Sequence, residues 1–242
     1  MIAADQPDCF GGAVIAGVSS RQDGTVLDRT RDARHDPEFV ARRQMICHEF
    51  GIEYEACVYQ IISYEPENTF DSIVEVDTPN TDGVHADVLY TETPGVGLFL
   101  PVADCIGTVI YDPRRKSLAL AHIGRHASIA DTLAKTITLF THKGSRAEDL
   151  MIWMAPSVGK ENYHMKYFDL KSAPAWRAYC VERDDGVYLD LRGYNRSRAI
   201  ESGVPAAQIS ISSIDTASDA NYFSHSQGDA IGRFAVVAMI RS

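Results

Sequence analysis

The clearest pattern of apolar and polar positions lies between residues 96 and 130, VGLFLPVADCIGTVIYDPRRKSLALAHIGRHASIA. The run VGLFLPVA ends on Asp104-Cys105, and SLALA ends on His122. Between them GTVIYD reads as a strand, and Asp112-Pro113-Arg114-Arg115-Lys116 reads as a hairpin connection. Short, unbroken apolar runs suit strands covered on both faces of a sheet. This pattern brings Cys105 and His122 to neighbouring strand ends.

Elsewhere the two periodicities alternate. Residues 12–19 (GAVIAGVS) predict a first strand, and the polar, aperiodic stretch after it a long loop. Asp36 then stands as an N-cap before Pro37 at the first helical position. Phe39, Ile46 and Phe50, with Val40 and Cys47 beside them, fall on one helical face, and Gly51 closes the helix. Arg42 and Arg43 lie on that helix. Residues 56–63 and 85–91 predict strands, with a short IVEV strand and turn-rich DTPNTDG between them. A helix is predicted from about Ala127 to His142, with Ile129, Leu133, Ile137 and Phe140 as its apolar stripe and Gly144 as its stop. Residues 151–158 predict a buried strand, and KENYHMKYFDL is irregular. SAPAWRAYC predicts a short helix, VYLDL a strand, GYNRSRAIESG a helix, and ISISSID and RFAVVAMIR strands. Helices and successive strands mixed in this way indicate layered α/β structure rather than a strictly parallel sheet.

Composition narrows this picture. The 242 residues show no repeat, low-complexity tract or flexible linker, so one domain over 1–242 is expected. A net charge of −10 disfavours nonspecific binding to nucleic acid and polybasic attachment to membranes. No apolar run nears the roughly 20 residues of a membrane span, and the first ten residues do not read as a secretory signal. The five scattered cysteines, with no CxxC spacing, suggest a reducing, cytoplasmic setting rather than a disulfide framework.

Candidate chemistry reduces to one cluster. The chain has no phosphate loop of Walker or dinucleotide type, no HExxH and no GxSxG. Cys105 and His122, with His126 four residues on, remain. A thiol beside an imidazole can serve as nucleophile and base, or as two ligands of a soft or borderline metal.

At these residues the chain resembles the laccase-domain family, also called YfiH-like or multicopper polyphenol oxidoreductase proteins. ADCIGTVIYDP…LALAHIGRHA is similar to its Ala-Asp-Cys strand, Asp-Pro turn and His-Ala-Gly-Trp-Arg-Gly motif. GVSSR, DPEFVARRQMICHEFGI, ADVLYT, APSVGKENYH and YFSHSQGDAIGRFAVVAMI resemble further family segments in the same order. The resemblance implies one α/β domain of two mixed sheets packed together, with helices outside. It also implies an enzyme acting on purine nucleosides by phosphorolysis, adenosine deamination or both; an older attribution is phenol oxidation with copper. The family site holds a metal, usually zinc, by His, Cys and His. Carried over, Cys105 and His122 are two of these ligands, and Arg43 and Arg233 match family arginines that would hold an anion such as phosphate.

The departures fall on the site itself. The family's first histidine corresponds to Ile62 in Gln60-Ile61-Ile62-Ser63, its Trp-Arg-Gly to Arg125-His126-Ala127, and its Arg-Arg after Phe-Ser to Ser226-Gln227. Two ligands are one short of the usual catalytic zinc shell. Three outcomes stay open. His85, His126 or His225 supplies the missing nitrogen. Alternatively, Cys105 and His122 act as a metal-free dyad, as in toxin deamidases that share the fold. Or the protein binds a small ligand without catalysis.

Overall fold

The computed structural model describes residues 1–241. In chain order its strands are β1 (Val14–Val18), β2 (Cys57–Ile61), β3 (Ile73–Glu75), β4 (Asn80–His85), β5 (Val88–Thr91), β6 (Gly97–Val102), β7 (Ile106–Asp112), β8 (Ser117–Ile123), β9 (Met151–Met154), β10 (His164–Met165), β11 (Cys180–Arg183), β12 (Gly186–Leu189), β13 (Ile209–Ile211) and β14 (Phe234–Ile240). Its helices are α1 (Pro37–Glu49), α2 (Arg125–Ile129), α3 (Thr132–His142) and α4 (Leu191–Glu201).

Two mixed sheets carry the fold. The first runs β1-β14-β6-β2-β4, and the second β13-β9-β7-β8-β5-β3. Period-2 alternation along the strands sorts their side chains into layers. On β14, Phe234, Val236 and Ala238 join Leu98, Leu100, Leu118 and Leu120 in the apolar layer between the sheets. Ala235 and Val237 point the other way and pack with Ile46 and Cys47 of α1. The outer face of the second sheet, with Ile110, Ala119 and Ala121, meets Leu133, Ile137 and Phe140 of α3 and Tyr194 of α4. The result is a helix, sheet, sheet, helix sandwich, as expected. A small hairpin sheet, β10-β12-β11, contributes Val187 and Leu189 to the helix side.

Several predicted elements are altered. The expected strand 85–91 is divided: His85 ends β4 in the first sheet, and Val88 starts β5 in the second, so the chain crosses between sheets at Ala86-Asp87. The expected helix from Ala127 breaks at Asp131, whose φ of 60° is left-handed and whose carboxylate binds Arg198 at 2.6 and 2.9 Å. This break leaves Ile129 exposed, off the stripe that Leu133, Ile137 and Phe140 make. Asp36 precedes α1 but makes no cap with its side chain; its carboxylate takes Arg31 at 2.6 Å. The SAPAWRAYC segment holds only one short 3-10 turn of helix, Arg177–Tyr179, which leads into β11.

Candidate functional site

The site grows from the β7–β8 pair. These strands are antiparallel, with Gly107 opposite His122 and Ile106 opposite Ile123. Cys105, one residue before β7, and His122, near the end of β8, therefore reach the same end of the second sheet. Gly124 shows how close they come. A Cβ there would lie 2.8 Å from Cys105 Sγ and 3.4 Å from His122 Cε1, so thiol and imidazole flank one missing side chain. His122 shares a face with Leu118 and Leu120 and points into the space between the sheets. Its main-chain N–H donates to the Asp87 carbonyl at 2.8 Å, while its buried Nδ1 has no protein partner.

Asp104 fixes the surroundings of Cys105. It is buried, with φ of 69°, a left-handed conformation that aspartate tolerates better than most residues. Its Oδ1 accepts from the Thr216 hydroxyl at 2.7 Å, and its Oδ2 from the Ser226 N–H at 2.6 Å. Its carbonyl accepts from the Val158 N–H. Three loops are thus pinned around the cysteine.

Cys105 and His122 open onto a cavity of about 920 Å³, also bordered by Ile62, Tyr64, Phe70 and Tyr163. Five arginines line it: Arg29, Arg31, Arg34, Arg125 and Arg233. Arg31 is paired with Asp28 and Asp36, and Arg34 with Asp32; among the described residues Arg29, Arg125 and Arg233 form no salt bridge. The Arg233 guanidinium donates only to the main-chain carbonyls of Gly232 and Asp229. Burial, and then the charge of Arg29, press its guanidinium below the ordinary arginine range. Burial, with Arg233 and Arg29 adding to it, lowers His122 to about 4. Burial, and then the Asp104 charge, push Cys105 up to about 12 against the opposing pull of Arg233 and Arg125. Near neutral pH the pair is a thiol beside an uncharged imidazole, not a thiolate beside an imidazolium.

The other expected residues are placed as follows. His85, His126 and His225 all border the cavity, but each is exposed at its rim. Among the described residues no three His, Cys, Asp or Glu side chains come close enough to hold a metal, so none of the three histidines completes a set with Cys105 and His122. The donors present do not fit a resident catalytic zinc, which takes three protein ligands and a water. Position 62 is apolar, and Ile62 packs against the core between the sheets. Arg43 is absent from the cavity lining. It is fully buried, donates to the carbonyls of Val26 and Arg34 and to the Tyr54 hydroxyl, and lies over the Tyr59 ring. It braces the loop that carries Arg29 and is not free to meet an anion.

Sequence reasoning passed over Arg29, Arg125 and the clamping role of Asp104. A charged residue between two unbroken apolar runs was the available signal for Asp104. The arginines carry no such mark, since their lack of acidic partners depends on tertiary pairing.

The chain is similar to several known proteins. Purine nucleoside phosphorylase YlmD of Bacillus subtilis (strain 168) is 27% identical over 207 residues, covering 78% of this chain and 71% of that protein. A purine nucleoside phosphorylase of Xylella fastidiosa (strain Temecula1) is 28% identical over 161 residues, 64% of this chain and 61% of its own length. The crystal structure of the Bacillus licheniformis hypothetical protein YfiH superposes with a TM-score of 0.81 at 22% identity, covering 94% of this chain and 93% of that one. That of YlmD from Geobacillus stearothermophilus gives 0.80 at 22% identity, over 98% and 94%. Among the described residues no helix is long and apolar enough to cross a membrane. The family described as multi-copper polyphenol oxidoreductase laccase matches residues 16–241, and the chain belongs to it.

Proposed function

We propose that this protein cleaves purine nucleosides with phosphate, and does so without a resident metal. The observation that carries this reading is the set of three guanidiniums, Arg29, Arg125 and Arg233, lining the Cys105–His122 cavity with no carboxylate partner in a protein of net charge −10. Unpaired arginines in a partly desolvated cleft favour an anionic reactant and can bind an oxyanion through paired N–H groups. Two relatives are named purine nucleoside phosphorylases, which supplies the substrate class.

In this reading Arg233 and Arg29 hold hydrogenphosphate. One phosphate oxygen bonds to the anomeric carbon of the ribose, and the bond from that carbon to the purine nitrogen breaks. The electron pair leaves with the purine, and the proton brought by hydrogenphosphate ends on the base. Cys105, still protonated, and the uncharged His122 provide a hydrogen-bond donor and acceptor beside the reacting centre. Deamination of adenosine is less well served, because its nucleophile is a neutral water, which unpaired guanidiniums do not attract as they attract phosphate. A cysteine dyad is also poorly served: with a thiol near 12, thiolate at pH 7 is about one part in 100,000.

The test is release of free base from inosine, adenosine and guanosine by chelator-treated protein, with and without phosphate. Phosphate-dependent release that survives chelation is expected, with Arg233→Ala raising the KM for phosphate at least tenfold. Absence of release, or release that ignores phosphate, overturns the reading.

A further inference from the structure

The cavity has an aromatic side that the reading above does not use. Phe70 has φ of 59°, in the left-handed region where a bulky residue is an outlier. The surroundings hold it there from both sides. Its N–H donates to Asn68 Oδ1 at 3.0 Å, and its carbonyl accepts from the Thr132 hydroxyl at 2.6 Å. Asn68 is itself tied to the Ser63 carbonyl at 2.7 Å. Strained backbone that neighbouring bonds over-determine is commonest where a side chain must be aimed at a ligand.

That aim is specific. The Phe70 ring stacks on His126 with centroids 4.6 Å apart and planes 22° from parallel. Tyr64 also meets the Phe70 ring, tilted at 5.8 Å and 59°, with the Arg29 guanidinium 4.9 Å over the Tyr64 ring. His126 follows His122 by four residues, across the passage from β8 into α2, and its Nε2 meets Arg125 at 2.9 Å. Phe70 covers one face of the imidazole. The ring is otherwise exposed and borders the same cavity as Cys105 and His122.

We propose that the Phe70–His126 stack is the platform for the planar heteroaromatic base of the substrate, which lies on the open imidazole face. The naming of that base as a purine rests on the phosphorolysis reading; the platform itself rests on the ring geometry. His126 is a specificity-determining residue here, one that holds the base and takes no proton from it. Every base offers a flat π face, so such a surface favours nucleosides over sugars or phosphate esters that lack an aromatic ring.

Two variants and two readouts test this. His126→Ala removes the platform, and His126→Phe keeps a plane while removing the ring nitrogens. Stacking of a base on an aromatic side chain is typically lost with a roughly 5- to 150-fold weakening on truncation to alanine. His126→Ala is therefore expected to raise the KM for the nucleoside by about that range, with kcat and the KM for phosphate changed far less. His126→Phe is expected to restore the nucleoside KM to near the wild-type value. The second readout is equilibrium dialysis of free hypoxanthine and adenine in the absence of phosphate, which needs no turnover. If the wild type binds base, His126→Ala loses it and no nucleoside is cleaved, the platform stands and phosphorolysis falls. If His126→Ala binds base as well as the wild type, if His126→Phe is as impaired as His126→Ala, or if the wild type binds no base, the platform is overturned.

Discussion

The Ser226 N–H donates to Asp104 Oδ2 at 2.6 Å across 122 residues of chain, and the same carboxylate accepts from the Thr216 hydroxyl at 2.7 Å. The carboxylate is thus the shared acceptor of two donors. Asp104→Ala would remove that acceptor and leave both donors unpaired. A loss of about 1–3 kcal/mol in folding stability is expected, together with loosening of the loop beside Cys105. Urea denaturation measures the first, and the alkylation rate of Cys105 the second. Unchanged values in both would show that the clamp contributes nothing.

His122 makes stability depend on pH in a defined direction. The unfolded imidazole titrates near 6.5, whereas the folded one sits near 4 because burial and two nearby arginines disfavour its charge. Above about 6.5 neither state holds the proton, and the group has no effect. Below it, the unfolded chain binds a proton that the folded chain refuses, so stability falls with pH until about 4, by up to about 3 kcal/mol. His122→Gln removes this contribution. Denaturation midpoints between pH 7.5 and 4.5 should fall less steeply in that variant than in the wild type; parallel slopes would contradict the buried, neutral state of the ring.

Ile62 borders the cavity shared by Cys105 and His122. A histidine there would raise the donor count from two to the three that catalytic zinc sites use. The wild type, purified without added metal, is expected to carry well under one zinc per chain, whereas Ile62→His should take up about one. Elemental analysis decides the matter. Stoichiometric zinc in the wild type would mean that a rim histidine moves in to complete the shell.

How far the chain could be read depended on where burial shows in the pattern. β7 and β8 are buried along their whole lengths, so their apolar runs announced both strands and placed Cys105 and His122 at one sheet end. β4 is different. Its side chains are largely outside the core, and it is held to β2 by main-chain pairing, which leaves no apolar period in Asn80–His85. The crossover at Ala86-Asp87 was hidden for the same reason, because both flanking strands looked like one. The break at Asp131 replaces helical hydrogen bonding with a left-handed residue and an ion pair to Arg198, 67 residues away. The burial of Arg43 was equally hidden, since only the folded loop shows that its Nε and Nη1 meet carbonyls and the Tyr54 hydroxyl while its Nη2 is buried without a partner. At the site, residue types were readable and their partners were not. The histidines that appeared able to replace the missing ligand do not form a metal-binding group with Cys105 and His122, and Arg29, which borders the same cavity, carried no motif.

Gly107 and Gly124 offer a paired prediction, because neither has a positive φ and each differs from alanine only in what a Cβ would touch. At Gly107 that atom would lie 2.7 Å from Val236 Cγ2, where β7 approaches β14 across the packed layer between the sheets. Val236 is fully buried and cannot retreat, so Gly107→Ala should cost about 1–3 kcal/mol through overpacking. At Gly124 the atom would meet the free end of Cys105 at 2.8 Å, and that sulfur has the cavity to move into. Gly124→Ala should therefore leave stability within about 1 kcal/mol while cutting turnover at least tenfold, since a shift of about 1 Å at a reacting centre is enough. Denaturation and base-release assays on the two variants should thus fail in opposite ways. Equal loss of stability in both would mean that the space beside Cys105 is packed core, and the case for a reaction there would go with it.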